Sequence, residues 1–241
     1  MWYKKRVMSM SSSFWRNSER YGWFTVGIDW DTPEDVAKFQ EDEDIRDSVE
    51  DNCFIATSQL ERIGFSKQHS YLIFSPDYVH NEATGEEAGA VAEAHSIKFP
   101  TGALYNDDFS QMLVHEWAHR YFYNMPKEAR TYFQNQYDEI VKNFIETDDS
   151  PQLMDMIEEV VPEDIKESFP DDMSAWKLYV ANSLHKQEMG SIRDYVRQKG
   201  NVPSAYASVN SEELWSECVS NYSKLDRDFK QIISNVIGGT Y

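Results

Sequence analysis

The sequence predicts an α+β fold in which a small mixed sheet lies over one chemistry-bearing helix and a mainly helical lobe follows. Three observations lead there. Apolar, β-prone runs at 23–28, 71–74 and 89–99 are interrupted by a helical repeat. An H-E-x-x-H pentapeptide, His115-Glu116-Trp117-Ala118-His119, sits in a helical pattern directly after them. From Pro126 to about residue 200 the chain is almost wholly helical and acidic.

Residues 1–22 carry a serine cluster and scattered aromatics and read as an N-terminal arm. The run 23–28 reads as a strand, and Thr32-Pro33-Glu34-Asp35 as a capped helix start with proline at the first helical position. Ile45, Val49, Cys53, Ala56, Leu60 and Ile63 then recur at helical spacing, and Gly64 ends that helix. A second strand follows at 71–74. After a loop at 84–87, residues 89–99 read as one bent strand or two short ones, closed by Pro100-Thr101-Gly102. The motif helix starts at a cap on Asn106 or Asp107 and stops at Asn124-Met125-Pro126. Further helices are expected over 127–145, 151–161, 173–189 and 192–199. Together these predict one domain over 23–241, with an upper α/β lobe at 23–124 and a lower helical lobe at 125–241.

Composition narrows the function. The chain has 241 residues, enough to bury a full core, and a net charge of −19. Such a charge repels a nucleic-acid backbone, and no basic stripe relieves it beyond Lys4-Lys5-Arg6. Nucleic acid is therefore not an expected partner. Cys53 and Cys218, both in helical segments, make no disulfide framework, which predicts a reducing compartment. Residues 7–13 are too polar for a signal peptide, and no stretch approaches the roughly 20 apolar residues of a membrane span. A cytoplasmic protein without membrane contact is expected.

In a helix, His115 and His119 lie about 40° apart around the axis and one turn apart along it, so both imidazoles can reach one ion. Glu116, roughly 100° round from His115, can hold a water beside the metal without ligating the metal itself. Val114, Trp117, Ala118, Tyr121 and Met125 form an apolar stripe on the other side, so one face packs while the other faces a cleft. This surrounding pattern weighs against a chance match. A catalytic zinc takes three protein ligands and keeps one position open, so a third ligand is required.

The best source is the segment 204–217, where Asn210 caps a helix whose first turns carry Glu212, Glu213 and Glu217. Glu213 and Glu217 share a face, so one can ligate while the other orients a ligand histidine. Glu213 also fits the third position of a capping box with Asn210, and Glu212 is a rival ligand. His95, which lacks a partner at metal spacing, and His185, in an amphipathic run, are expected to be structural. Cys218 is expected to be a small buried helix residue, and Tyr132, Phe133, Tyr137 and Phe144 to be core.

The blocks H-E-W-A-H and Y-A-S-V-N-S-E-E-L-W-S-E resemble the gluzincin metallopeptidases related to the catalytic domain of anthrax lethal factor. There, an H-E-x-x-H helix is completed by Y-x-x-T-N-x-x-E-F-x-A-E. The likeness covers about twenty residues. It implies a zincin-like fold, one catalytic Zn2+ held by His115, His119 and Glu213, and a polypeptide substrate. It also implies a general base at Glu116, an oxyanion donor at Tyr206, and supporting roles for Asn210 and Glu217. Val209, Leu214-Trp215 and Ser216 depart from the family pattern, and the acidic helical stretch between the blocks is longer, so no target is implied.

The expected function is a zinc-dependent metallopeptidase of the endopeptidase type, in which a metal-activated water attacks the peptide bond. Glu116 would take the water proton and return it to the leaving amine, while Tyr206 steadies the oxyanion. The competing expectation is a catalytically inactive zincin-fold binding, toxin-like or assembly protein that keeps zinc for structure. Such a site needs neither base nor oxyanion donor and usually closes its fourth position with protein.

Overall fold

The computed structural model describes residues 19–28, 41–75, 79–80 and 87–241. The helix start expected at 32–35, the loop at 84–86 and residues 1–18 of the expected arm lie outside the described residues. The fold is α+β. It divides into two compact units, the first running to Arg62 and from Ser66 to Glu116, the second comprising Ile63–Phe65 and Trp117–Tyr241. The division falls inside the motif helix, earlier in the chain than the lobe boundary expected after residue 124.

The first unit holds a five-stranded mixed sheet. Its strands are β1 (Glu19–Tyr21), β2 (Phe24–Ile28), β3 (Ser70–Ser75), β6 (Val91–Ala92) and β7 (Ser96–Pro100), in the order β1-β2-β3-β7-β6. A separate two-stranded ladder pairs β4 (Val79–His80) with β5 (Glu87–Ala88). β2, β3 and β7 run parallel, and β1 and β6 flank them antiparallel. The run 89–99 is thus two short strands folded into a hairpin. β1 corrects the arm boundary, since residues 19–21 belong to the sheet. Gly22 makes its turn into β2 at φ +57°, where a Cβ would collide with the Thr57 hydroxyl that accepts a hydrogen bond from Trp23 N–H at 3.1 Å.

Helix α1 (Glu43–Ile63) buries Val49, Cys53, Ala56 and Leu60, the central part of the expected stripe, together with Thr57. It ends where predicted, with Gly64 at φ +107°. Buried Phe24, Leu72, Phe74, Ile97 and Phe99 supply the sheet's contribution to the core. Phe109, at the start of the motif helix α2 (Phe109–Asn124), meets the Phe99 ring edge-on at 5.0 Å. This aromatic contact anchors the helix's first turn and is worth about 1 kcal/mol beyond burial alone.

The second unit is helical. After α2 come α3 (Lys127–Tyr137), a π-helical turn (Asp138–Lys142) and α4 (Asn143–Thr147), so the helix expected over 127–145 is continuous but unwound in its middle. α5 (Pro151–Val160) starts with a Ser150 cap and proline at the first position. α6 (Glu163–Ser168) was not anticipated. α7 (Met173–Ser183) stops short of the expected 189 and gives way to a 3-10 turn at Gln187–Met189 before α8 (Gly190–Lys199). α9 (Ser211–Ser220) and α10 (Arg227–Gly238) complete the unit. Among the described residues no helix is long and apolar enough to cross a membrane.

Candidate metal centre

Two helices build the centre, and aromatic packing holds them together. Trp117 and Tyr121 on α2 stack at 5.4 Å, Tyr121 stacks on Trp215 of α9 at 5.7 Å, and Phe133 of α3 closes on Trp215 edge-first at 5.2 Å. The Trp215 indole N–H donates to the Ala118 carbonyl at 3.1 Å. Buried hydrogen bonding fixes which side of α9 faces α2, because rotating the helix would leave that N–H without its acceptor. Ser211 Oγ donates to Gln134 Oε1 at 2.6 Å, and Tyr137 OH donates to the Ser208 carbonyl at 2.9 Å, tying the approach to α9 onto α3.

That orientation presents the first turn of α9 to His119. Asn210 caps the helix as expected, its Oδ1 accepting the Glu213 N–H at 2.9 Å. With its backbone held at the third helical position, Glu213 places Oε2 3.2 Å from His119 Nε2. The capped backbone position and the candidate ligand carboxylate therefore coexist in one residue. Glu212 places Oε1 2.8 Å from the other ring nitrogen, Nδ1. The His119 ring is buried between two carboxylates, one at each nitrogen.

This geometry tests whether a cation fits. When Nδ1–H donates to Glu212, the neutral ring turns the Nε2 lone pair toward the Glu213 oxygen. At 3.2 Å the two atoms form an ion pair if Nε2 carries a proton, and a matched pair of ligand atoms if a cation takes that proton's place. A tetrahedral zinc with bonds of about 2.0–2.1 Å separates adjacent ligand atoms by about 3.3 Å, matching that distance. His115, His119 and Glu213 offer ligand atoms that all lie within 4.8 Å of one another. The ligand set expected from the sequence is brought together, and its nitrogen and oxygen donors suit zinc.

The remaining expected residues distribute as follows. Glu116 is half-buried beside His115 on α2. Tyr206 sits on the 3-10 turn Tyr206–Ser208 with 53% of its surface exposed. Glu217 accepts a hydrogen bond from Asn221 Nδ2 at 3.3 Å, while the carboxylate at His119 Nδ1 belongs to Glu212. Glu212 is thus the orienting neighbour of His119, where the sequence offered it only as a rival ligand to Glu213. Its azimuth could not be fixed before the packing of Trp215 was known.

His95 and His185 are exposed, and neither belongs to the candidate ligand cluster. Cys218 is buried, and burial pushes its thiol well above the ordinary range; Cys53 is likewise pushed up to about 12. Protonated thiols suit packing rather than ligation. Sequence reasoning passed over Arg120, which follows His119 directly and is buried, with burial pulling its guanidinium below the usual arginine range. A polar residue next to a histidine gives no signal of burial until the helix is docked. No protein-family profile, curated protein or solved structure matches the chain.

Proposed function

We propose that the protein is a zinc-dependent metallopeptidase with a zincin-like fold. The observation that carries this reading is the convergence of His115, His119 and Glu213 on one point, with Glu116 adjacent in the same helix. Zinc, when bound there, acts as a Lewis acid on the scissile carbonyl and makes water a usable nucleophile near neutral pH. Asn210 and Glu212 set the geometry: the first fixes the backbone of Glu213, the second holds His119 with Nε2 turned toward the ligand point.

Glu116, kept off the ion by its different azimuth, accepts the proton of the attacking water and returns it to the leaving amine. Tyr206, largely exposed at the N-terminal approach to α9, supplies a phenolic donor for the charge that develops on the carbonyl oxygen. The substrate class is polypeptide. The test is cleavage of casein and of a random peptide library by zinc-loaded protein, with and without chelator, alongside Glu116→Gln. Chelator-sensitive cleavage that Glu116→Gln abolishes is expected. Cleavage that survives both overturns the assignment, as does its absence in protein shown to hold one zinc per chain.

A further inference from the structure

Arg120 has a burial that folding alone does not account for. It lies on α2 immediately after His119 and one turn beyond Glu116, on the flank of the helix that Glu116 occupies. Only 8% of its surface is accessible, and among the described residues neither Nε nor Nη1 has a hydrogen-bond partner. Guanidinium groups stay charged in proteins, so taking one out of water without an acceptor is strongly unfavourable.

A shortage of acids is not the reason. The chain has 42 Asp and Glu against 23 Lys and Arg. The fold also pairs a comparably buried cation elsewhere: Lys177 donates from Nζ to Asp149 Oδ1 at 2.6 Å and to the Glu146 carbonyl at 3.4 Å. Arg120 is left open where the helix carries its reactive groups. A bound metal would add positive charge nearby and sharpen the need for an anion.

We propose that Arg120 recognises a carboxylate of the polypeptide substrate, either the C-terminal α-carboxylate or an Asp or Glu side chain. The inference rests on the peptidase reading for the identity of the ligand. An unmodified polypeptide carries no other anion, and the planar guanidinium fork matches a carboxylate through paired charge-assisted hydrogen bonds. Because Nε and Nη1 are already out of water in the folded protein, little of their desolvation cost falls on binding, which makes the site selective as well as attractive. It also directs a strongly acidic protein toward an acidic feature that its overall field would repel.

The test uses full-length, zinc-loaded Glu116→Gln protein, so that binding is read without turnover. Immobilised protein is offered two random octapeptide libraries, one with free C-termini and one amidated, and retained peptides are sequenced. The same selection is run with Arg120→Met and Arg120→Lys added. The expected result is about tenfold to a hundredfold enrichment, the scale of a charge-assisted hydrogen bond. Enrichment of the free-acid library identifies the α-carboxylate, and enrichment of Asp or Glu at a fixed position identifies a side chain. Either preference should vanish in Arg120→Met and be weak in Arg120→Lys, with a melting temperature for Arg120→Met no lower than that of its parent. Equal retention of acidic and neutral peptides by the parent and Arg120→Met overturns the proposal while leaving chelator-sensitive casein cleavage intact. No retention by the parent overturns it too. A large fall in melting temperature for Arg120→Met, with unchanged peptide preference in Arg120→Lys, makes the residue structural and also overturns it.

Discussion

His119 Nδ1 and Glu212 Oε1 lie 2.8 Å apart although 93 positions separate them in the chain. By accepting from Nδ1–H, Glu212 would select the tautomer whose Nε2 lone pair faces Glu213. Removing it should loosen the ring without deleting a ligand. Glu212→Ala is therefore expected to weaken zinc about tenfold to a hundredfold, and Glu213→Ala considerably more. Competition titration with a chromophoric chelator measures both; a larger loss for Glu212→Ala would exchange their roles.

Glu116→Gln keeps the side chain's shape and removes its basicity. Zinc content and melting temperature should stay near those of the parent while peptide hydrolysis disappears. Metal analysis and peptide turnover on the same preparation decide the matter. Turnover at the parent rate would remove Glu116 from the chemistry.

Tyr206→Phe retains the ring and loses the hydroxyl. Turnover should drop roughly a hundredfold, the scale of losing one oxyanion donor, with zinc binding unchanged. Because the side chain is half exposed, a packing role predicts almost no kinetic effect. Equal turnover on a substrate limited by chemistry would end the catalytic assignment.

Trp215→Phe tests the coupling between packing and metal geometry. The substitution keeps much of the aromatic contact with Tyr121 and Phe133 but leaves the Ala118 carbonyl without its indole donor. A stability loss of about 1–3 kcal/mol is expected in urea unfolding of the metal-free protein. Weaker zinc binding should accompany it, since the carboxylates of α9 are then held less firmly opposite His119. An unchanged zinc affinity would show that the hydrogen bonds from Tyr137 OH to the Ser208 carbonyl and from Ser211 Oγ to Gln134 suffice.

The loop before α5 gives a prediction about acid. Tyr195 OH donates to Asp148 Oδ2 at 2.6 Å, and this bond, aided by the Ser150 N–H, holds the Asp148 carboxyl below its ordinary range despite opposing burial. A depressed folded-state pKa means that the contribution is fully present above the unfolded value near 3.9 and is lost as pH falls through the lower folded value. Tyr195→Phe should therefore melt below the parent at neutral pH, and the gap should narrow below about pH 4. Thermal melts from pH 7 to pH 2 measure it; a constant gap would mean that only packing was lost.

Local signals were legible in the sequence wherever the chain determines its own conformation. Gly64 ends α1, Asn210 caps α9, Met125-Pro126 closes α2, and the spacing of His115 and His119 follows from helix geometry. What escaped depends on how separate elements dock. The choice between Glu212 and Glu213 as the carboxylate for each nitrogen of His119 turns on the rotation of α9, which Trp215 sets against Ala118. The burial of Arg120 depends on the same docking. α10 is a different omission: Asp226 caps it, and Phe229, Ile233 and Val236 recur along one buried face, so its signal was present and unread.

The ligand set also constrains how the second unit folds. His119 stands near its start and Glu213 near its end, so one ion bound to both closes a loop of about ninety residues. Closing so long a loop removes many conformations from the unfolded chain, much as a covalent staple does, and no disulfide is formed: Cys53 and Cys218 are both free thiols. On the proposed reading, metal supply would therefore set the unit's resistance to unfolding as well as its activity. Each tenfold rise in free ion above the dissociation constant adds about 1.4 kcal/mol to the stability of the closed chain.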